Sequence, residues 1–454
     1  MNFIDLCKEA INTAARAGAT EAEALIVHRH TVGAEIERAA IKTCTDIMDA
    51  GIGIRTIKNK KLGFAYTNIL TSEEVKRTAK KAVKASNASR ADKKWRQLPQ
   101  RKDYPPTAET YDKRITEVTS EETVLLCQKM MTVAHDIDKR VLPAFGGVEV
   151  LAQAVACLNT SGVEVEDRGT VLVCALGTMA RSETQVSPVC YEFEASRRYE
   201  PHPEWVGREA GKLAINSINV GKAEAGKFPV LLDPFALEAM LTYTLVQSVR
   251  GDVVTQGRSI FKDKIGEKVA HENINIYDDG TLAGGLRSGK TDLEAVPMQK
   301  TPIIEDGTLQ GFLYNNYWAR LASRESTGNA NRGGGGLQLP PYGTTPTIQP
   351  TNFILEAGTA TEAELIHEVR NGYYVRSVQG AHQSNPETGE FSVALAPAWR
   401  IENGEITHAV KGVMIAGNAY DMLKKILLLG KETRQIQTLI APKVVISELN
   451  VVTK

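Results

Sequence analysis

Residues 3 to 17, FIDLCKEAINTAARA, place apolar side chains three and four positions apart and stop at Gly18, a pattern that predicts an amphipathic helix with a glycine stop. The next two stretches, EALIVHRHTVGAEIE and GIGIRTIKNKKLGFAYTN, alternate apolar with polar positions, and Asp49-Ala50-Gly51 between them is expected to turn one antiparallel strand onto the next. Thr71-Ser72-Glu73-Glu74 then opens a helix to about Ser86, because a hydroxyl cap and early carboxylates suit a helix N-terminus. The unit reads α-β-β-β-α.

A polar, basic, proline-containing stretch from Ser89 to Lys113 has too few apolar side chains to pack and is expected to be a linker or a surface-crossing loop, 89–114. The order then recurs. SEETVLLCQKMMTVAHDI reads as a helix, VEVLAQAVACLNTSGVEVEDRGTVLVCALGTMARSETQ as strands with turns at Ser161-Gly162 and Arg168-Gly169, and HPEWVGREAGKLAINSI as a second helix. Residues 1–224 are therefore expected to form an N-terminal α/β lobe of duplicated α-β-β-β-α units, 1–88 and 115–220. After Lys227 the chain becomes β-rich, punctuated by Asp279-Gly280, Asp306-Gly307, Thr388-Gly389 and Asn403-Gly404, each able to supply the positive φ of a hairpin turn. One helix from Phe235 to about Val249 precedes these strands and another, Ala419 to Leu429, follows most of them. The expected class is α+β, with a mainly antiparallel C-terminal domain over 225–454.

Charge changes the picture by exclusion: 54 Lys plus Arg balance 54 Asp plus Glu, so no global field draws the chain to nucleic acid or anionic lipid. Asp5, Lys8 and Glu9 interrupt the place where a signal peptide needs an apolar core, no stretch has the length of a membrane span, and mean hydropathy is -0.22. A cytoplasmic protein without membrane or direct nucleic-acid partners is expected. The six cysteines, Cys7, Cys44, Cys127, Cys157, Cys174 and Cys190, include no C-x-x-C pair and read as reduced, mostly buried thiols.

Candidate chemistry is sparse. GGLRSGKTD spells G-x-x-x-x-G-K-T through Gly284, Gly289, Lys290 and Thr291, yet the preceding strand ends in Asp278-Asp279-Gly280 and Pro297 leaves little room for the helix that presents N–H groups to a phosphate. A hairpin loop is the expectation, with a nucleotide-binding regulator using Lys290 as an alternative. Arg332-Gly333-Gly334-Gly335-Gly336 reads as a flexible loop. His271-Glu272 and His367-Glu368 lack a second imidazole one turn along, and His28 with His30 share a strand face as a solvated pair. Asp278, Asp279, Asp292 and Glu294 are assigned to turn capping and solvation. No nucleophile elbow or Cys/His pair appears, so these residues alone show no legible active site.

The C-terminal half resembles the TldD/PmbA family, once called modulators of DNA gyrase, through GRSIFKDKIGEKVA, IYDDG, IIEDGTLQGFL, ARLASRESTGNANR, ETGEFSVA and ENGEITHAVKGVMIAGN, with weaker similarity in the N-terminal lobe. AGGLRSGKTDLEAVP then stands where the family has a loop ending in a D-D-E-G-like turn, from which Leu293 and Ala295 depart. In the family's proteolytic branch, TldD, a helix carries H-E-x-x-x-H and a cysteine near the C-terminus completes a zinc site. Counting from Gly251-Asp252, the matching positions here run from Thr242 and Tyr243 to Gln247, and the tail lacks the cysteine. Thr and Gln are poor zinc ligands, and Tyr243 cannot serve as a carboxylate base.

The resemblance therefore implies the TldE-like branch: a subunit with no catalytic residue, metal or cofactor of its own, pairing with a TldD-type zinc metalloprotease that acts on unfolded or extended peptides. The zinc is expected in that partner, and the isolated chain is expected to pair with a copy of itself. A candidate peptide-groove loop contains Ser326, Thr327, Gly328, Asn329, Arg332, Gly333 and Gly334, where an extended peptide could add along a strand edge. A stand-alone metallopeptidase using His271, His382 or His408 is the remaining alternative.

Overall fold

The computed structural model describes residues 2–106, 109–333 and 340–453. Helix α1 (Phe3–Arg16) starts where the Asn2 side chain accepts the Ile4 N–H, and it buries Ile4, Leu6, Cys7, Ala10 and Ala14 on one face. Strands β1 (Glu21–Glu37), β2 (Ala40–Lys58) and β3 (Lys61–Thr67) follow, then α2 (Ser72–Ala88), capped by Thr71. The second unit repeats this order: α3 (Ser120–Ile137), opened by a Thr119/Glu122 capping box, β4 (Val141–Asn159), β5 (Glu164–Ala180), β6 (Cys190–Ser196) and α4 (Pro203–Asn216). Together they make one six-stranded sheet in the order β3-β2-β1-β4-β5-β6. The first strands of the two units meet antiparallel at its centre, from Glu23 opposite Asn159 to Glu37 opposite Phe145, and each unit adds its later strands outward.

Two expected turns are instead mid-strand. Asp49-Ala50-Gly51 lies inside β2, with Asp49 opposite Arg29 and Gly51 opposite Val27, and Arg168-Gly169 lies inside β5. The reversals on either side of β2 occur at Arg38-Ala39 (φ 51° and 61°) and Asn59-Lys60 (φ 52° and 61°). The glycines have a different cause. A Cβ at Gly51 would sit 2.4 Å from the Tyr342 ring, one at Gly53 2.3 Å from the Tyr342 carbonyl oxygen, and one at Gly169 2.7 Å from the Arg197 guanidinium. Each marks a place where another part of the chain crosses the strand closely, the second role of glycine in a sheet.

The described residues from 89 to 112 are largely irregular, but they pack more than their composition suggests. Trp95 and Leu98 are buried, and the Glu21 carboxylate accepts the Trp95 indole N–H (2.8 Å) and the Leu98 N–H (2.7 Å). The Gln97 carbonyl accepts the Asn316 side-chain amide at 2.8 Å, so this strap is tied to the C-terminal half.

Period-two alternation gives the N-terminal sheet two unlike faces. Val32, Ala34, Ile36, Val148, Val150, Leu172, Cys174 and Leu176 belong to the core that α3 and α4 close. The intervening positions, among them Arg29, Gln153, Val173 and Phe193, face away from that core.

Apart from Ala330–Asn331, which pairs separately with Thr347–Ile348, thirteen further strands form a second, mainly antiparallel sheet. It begins with β7 (Gly226–Leu232) and α5 (Pro234–Thr242), and its parallel pairings are β7 with Gly372–Val375 and Phe353–Leu355 with Leu439–Thr453. The expected helix to Val249 breaks at Thr244 (φ −127°, ψ −87°) and restarts as the single turn Leu245–Ser248, with the Thr244 hydroxyl donating to the Met240 carbonyl at 2.7 Å. The Ala419 helix stops at Lys424, because the following Ile-Leu-Leu-Leu run belongs to a strand, Ile426–Ile436, paired with Leu439–Thr453. A short continuous apolar run fits a strand and a helix equally well by pattern. The Asp306-Gly307 and Asn403-Gly404 turns stand as expected, with positive φ at all four residues.

Two buried ionic networks join the halves. Glu23 on β1 accepts from Arg332 and, at 2.7 Å, from Arg55 on β2, which also donates to Glu294 at 2.7 Å. Glu192 on β6 accepts from Arg376 (2.7 Å) and from Arg434, and Arg376 also pairs with Asp233, the residue capping α5.

Candidate functional site

The positions aligned with a zinc motif are close together but chemically occupied. The Thr242 hydroxyl donates to Glu238 Oε1 at 3.0 Å, the Gln247 amide donates to the Thr242 carbonyl at 3.0 Å, and Gln247 Oε1 accepts from Arg250 at 2.9 Å. Tyr243 is exposed and meets the His382 ring edge-on at 6.3 Å between centroids. This donor set does not fit zinc: it holds no imidazole or thiolate, and Glu238 is its single carboxylate, pushed up from its ordinary range by burial. His271 is bonded to the Asn273 N–H and His408 to the Lys222 carbonyl, so the three histidines serve separate elements. Among the described residues no three His, Cys, Asp or Glu side chains converge as a metal site would need.

The candidate groove residues divide. Ser326 and Thr327 donate to the Tyr314 carbonyl (both 3.1 Å), and the Gly333 N–H donates to Thr344 Oγ1 at 2.7 Å. Arg332 is buried in the ionic network described above and also donates to the Leu293 carbonyl at 2.9 Å, which makes it a clamp between the halves. Gly334 lies outside the described residues. Gly328 and Asn329 do border a cavity, and the Asn329 amide donates to Asp278 Oδ2 at 2.7 Å.

The carboxylates assigned to solvated turns need the same correction. Asp279 does accept the Thr281 N–H in a turn, but Asp278, Asp292 and Glu294 are buried. Asp292 accepts N–H groups of Glu294, Val296 and Ala330, all at 2.9 Å, and Glu294 accepts Arg55 and the Asn316 N–H. Burial pushes the Asp278 carboxyl up to about 6 against the opposing donors Asn329 and Thr351. A raised folded-state value means that its contribution to stability is fully present below the unfolded carboxyl value of about 4 and is lost as pH rises through about 6. The difference in melting temperature between Asp278→Asn and the parent is therefore expected to move in the variant's favour from pH 4 to pH 7, measured by thermal scans at matched ionic strength.

The cavity, about 700 Å³, lies between the face of the N-terminal sheet opposite α3 and α4 and the loops of the second half. Tyr191, Phe193 and Phe235 line it together with Arg29, Arg197 and Arg287. The GGLRSGKTD loop forms part of its wall. Arg197 donates to the carbonyls of Gly285 (3.2 Å), Leu286 (2.7 Å) and Ser288 (3.2 Å), so the loop turns oxygens inward where a phosphate loop would turn N–H groups. Lys290 is exposed, its N–H taken by Asp167 Oδ2 at 2.8 Å, and no helix follows.

Comparison with known proteins decides the family. A profile described as the PmbA/TldA metallopeptidase C-terminal domain matches residues 225–453, and one described as PmbA/TldA metallopeptidase domain 1 matches residues 22–86. An uncharacterized protein of Methanocaldococcus jannaschii is 32% identical, covering 94% of this chain and 95% of its own length. This chain belongs to the PmbA/TldA metallopeptidase family. A TldD homolog metalloprotease of Buchnera aphidicola is 27% identical over 88% of this chain and 83% of its own. The crystal structure of TldE from Thermococcus kodakarensis superposes with a TM-score of 0.93 at 28% identity, covering 98% of this chain and 99% of that one. A Thermotoga maritima MSB8 protein described as a candidate modulator of a DNA gyrase gives 0.88 at 26% identity, covering 99% and 100%.

Within this PmbA/TldA fold, Arg29, Arg197 and Arg287 were not apparent as a group from sequence. The available signal was modest: Tyr191, Phe193, Ala195 and Arg197 alternate along one short strand and past its end, but nothing local pairs them with residue 287. No helix among the described residues is long and apolar enough to cross a membrane.

Proposed function

We propose that this chain is the noncatalytic, TldE-type subunit of a two-chain peptidase whose zinc resides in a TldD-type partner, and that it helps to hold an unfolded or extended peptide. The reading rests on one observation: at the positions where the proteolytic branch ligates zinc, Thr242 and Gln247 spend their polar groups on Glu238, the Thr242 carbonyl and Arg250. The family relationship and the likeness to TldE support it.

Purified alone, the chain is expected to contain no stoichiometric zinc and to leave an unfolded substrate such as reduced casein intact. Mixed with a TldD-type protein, it is expected to form a stable complex that cleaves the same substrate and stops on chelation. Metal analysis, size-exclusion chromatography and a gel-based cleavage assay read the three outcomes. Hydrolysis by the isolated chain, or tight metal at Thr242 and Gln247, ends the proposal.

A further inference from the structure

Arg287 has an unusual combination of a fixed backbone and a free head. Its N–H donates to Asn352 Oδ1 at 3.1 Å, and the carbonyls on either side, those of Leu286 and Ser288, both accept Arg197. Asn352 in turn donates to Ser288 Oγ at 2.9 Å and to the Asp279 carbonyl at 2.6 Å. The loop is thus held from both sides. Among the described residues, however, the Arg287 guanidinium makes no hydrogen bond or ion pair, although it lines the 700 Å³ cavity.

Arg29 is presented to the same cavity from β1. Its Nε donates to Gln153 Oε1 at 2.7 Å, which leaves its terminal nitrogens unbonded among the described residues. Asp49, across the ladder from Arg29, offsets part of its charge and is itself bonded by the Tyr342 hydroxyl at 2.7 Å. Burial first, and then the positive charge of Arg287, lower the pKa of both Arg29 and Arg197. Glu149, Asp167, Glu238 and Asp292 also border the cavity, yet none forms an ion pair with Arg29 or Arg287. Asp167 is bonded to the N–H groups of Lys290 and Arg168, Asp292 to three backbone N–H groups, and Glu238 to Thr242.

Arg287 is exposed and Arg29 is half-buried with Asp49 offsetting part of its charge, so both heads keep some water; their unbonded terminal nitrogens nonetheless present positive charge to the cavity, and the planar fork of Arg suits a carboxylate. Tyr191, Phe193 and Phe235 line the same space and supply an apolar surface for the rest of the ligand. We infer that the cavity anchors an extended peptide by a carboxylate held between Arg287 and Arg29, with Arg197 as a positioning residue that fixes the loop carrying Arg287. The ligand class rests on the peptide-handling reading above; the cationic recess itself does not.

The test uses fluorescence anisotropy with an N-terminally labelled peptide of five alanines and a final phenylalanine, prepared as the free acid, as the C-terminal amide, and as an amide with one alanine replaced by glutamate. Each is titrated with the full chain and with its complex with a TldD-type partner. The free acid is expected to bind at least about tenfold tighter than the plain amide, the size of one charge-assisted hydrogen bond. That ratio is expected to fall to about one in Arg287→Met and to recover in part in Arg287→Lys, with unchanged melting temperatures. If the glutamate amide gains the same Arg287-dependent tightening, the anchor accepts side-chain as well as terminal carboxylates; if it does not, the anchor reads the chain end. Equal affinity of all three peptides, or a preference that survives Arg287→Met, overturns the carboxylate site and leaves the subunit reading standing. No binding of any peptide to chain or complex overturns both.

Discussion

Replacing Glu23 with alanine is expected to cost about 3–5 kcal/mol, seen as a large drop in the urea midpoint, because it leaves two buried guanidiniums without their shared partner. Glu23 and the Arg332 side chain are 0% exposed, and Arg55 is 4% exposed, so water cannot replace the lost carboxylate without opening the junction between the halves. Arg55 keeps Glu294 after the change, whereas Arg332 keeps only the Leu293 carbonyl. Removing both ends of the worst-affected pair is a sharper test. Glu23→Leu with Arg332→Met leaves the Arg55–Glu294 pair in place and buries no orphaned charge. The double variant is therefore expected to be less destabilised than Glu23→Ala alone. A double variant that loses as much as the sum of the single changes would show that the ionic network contributes nothing beyond packing.

The same network has a pH signature. Burial by itself raises the Glu23 carboxyl, but Arg332 and Arg55 outweigh it and bring it below its ordinary range. A depressed folded-state value contributes stability above the unfolded Glu value of about 4.3 and loses it as pH falls below that. The gap between the parent and Glu23→Leu/Arg332→Met should consequently narrow on acidification below about pH 4.

Glu192→Ala is the second large effect expected, again about 3 kcal/mol or more. Glu192 is the carboxylate that Arg376 and Arg434 share; Arg376 retains Asp233, while Arg434 is left with the Phe193 carbonyl at 2.6 Å. Both guanidiniums lie against the Phe235 ring, at 4.0 Å and 5.0 Å, and Phe235 lines the cavity. The change should therefore lower the urea midpoint and also weaken peptide binding. Arg287→Met, by contrast, is expected to weaken binding with the midpoint unchanged. Urea titration followed by peptide anisotropy on the two variants separates a wall that has collapsed from a wall that has lost its charge. If Glu192→Ala unfolds at the parent's urea concentration, the lobe junction does not depend on this pair.

The helices with side-chain caps were the most legible elements. Thr71 announces α2 within a residue or two, because a hydroxyl accepting a helix N–H is a local interaction between neighbours in the chain. The glycines were read for the wrong reason. Gly51 and Gly169 looked like turn residues, yet their missing side chains make room for Tyr342 and Arg197, which are distant in sequence and adjacent in space. The break in the helix after Thr242 was equally hidden, since the Thr244 and Gln247 side-chain bonds that accompany it carry no periodic signature.

What the amino-acid order determined by itself was the order of the helices and strands in the first half, the α+β class and the family, together with the side-chain types at Thr242, Tyr243 and Gln247, which include no imidazole, thiolate or carboxylate. These follow from local propensity, from period, and from which atoms a side chain has to offer. Only the tertiary structure decided that Arg332 is a buried clamp, that the GGLRSGKTD loop points its carbonyls at Arg197, and that Arg29 and Arg287 share one recess. Those contacts join residues 88 to 309 positions apart, and an electrostatic partnership depends on distance in space, which no local pattern of residue types encodes.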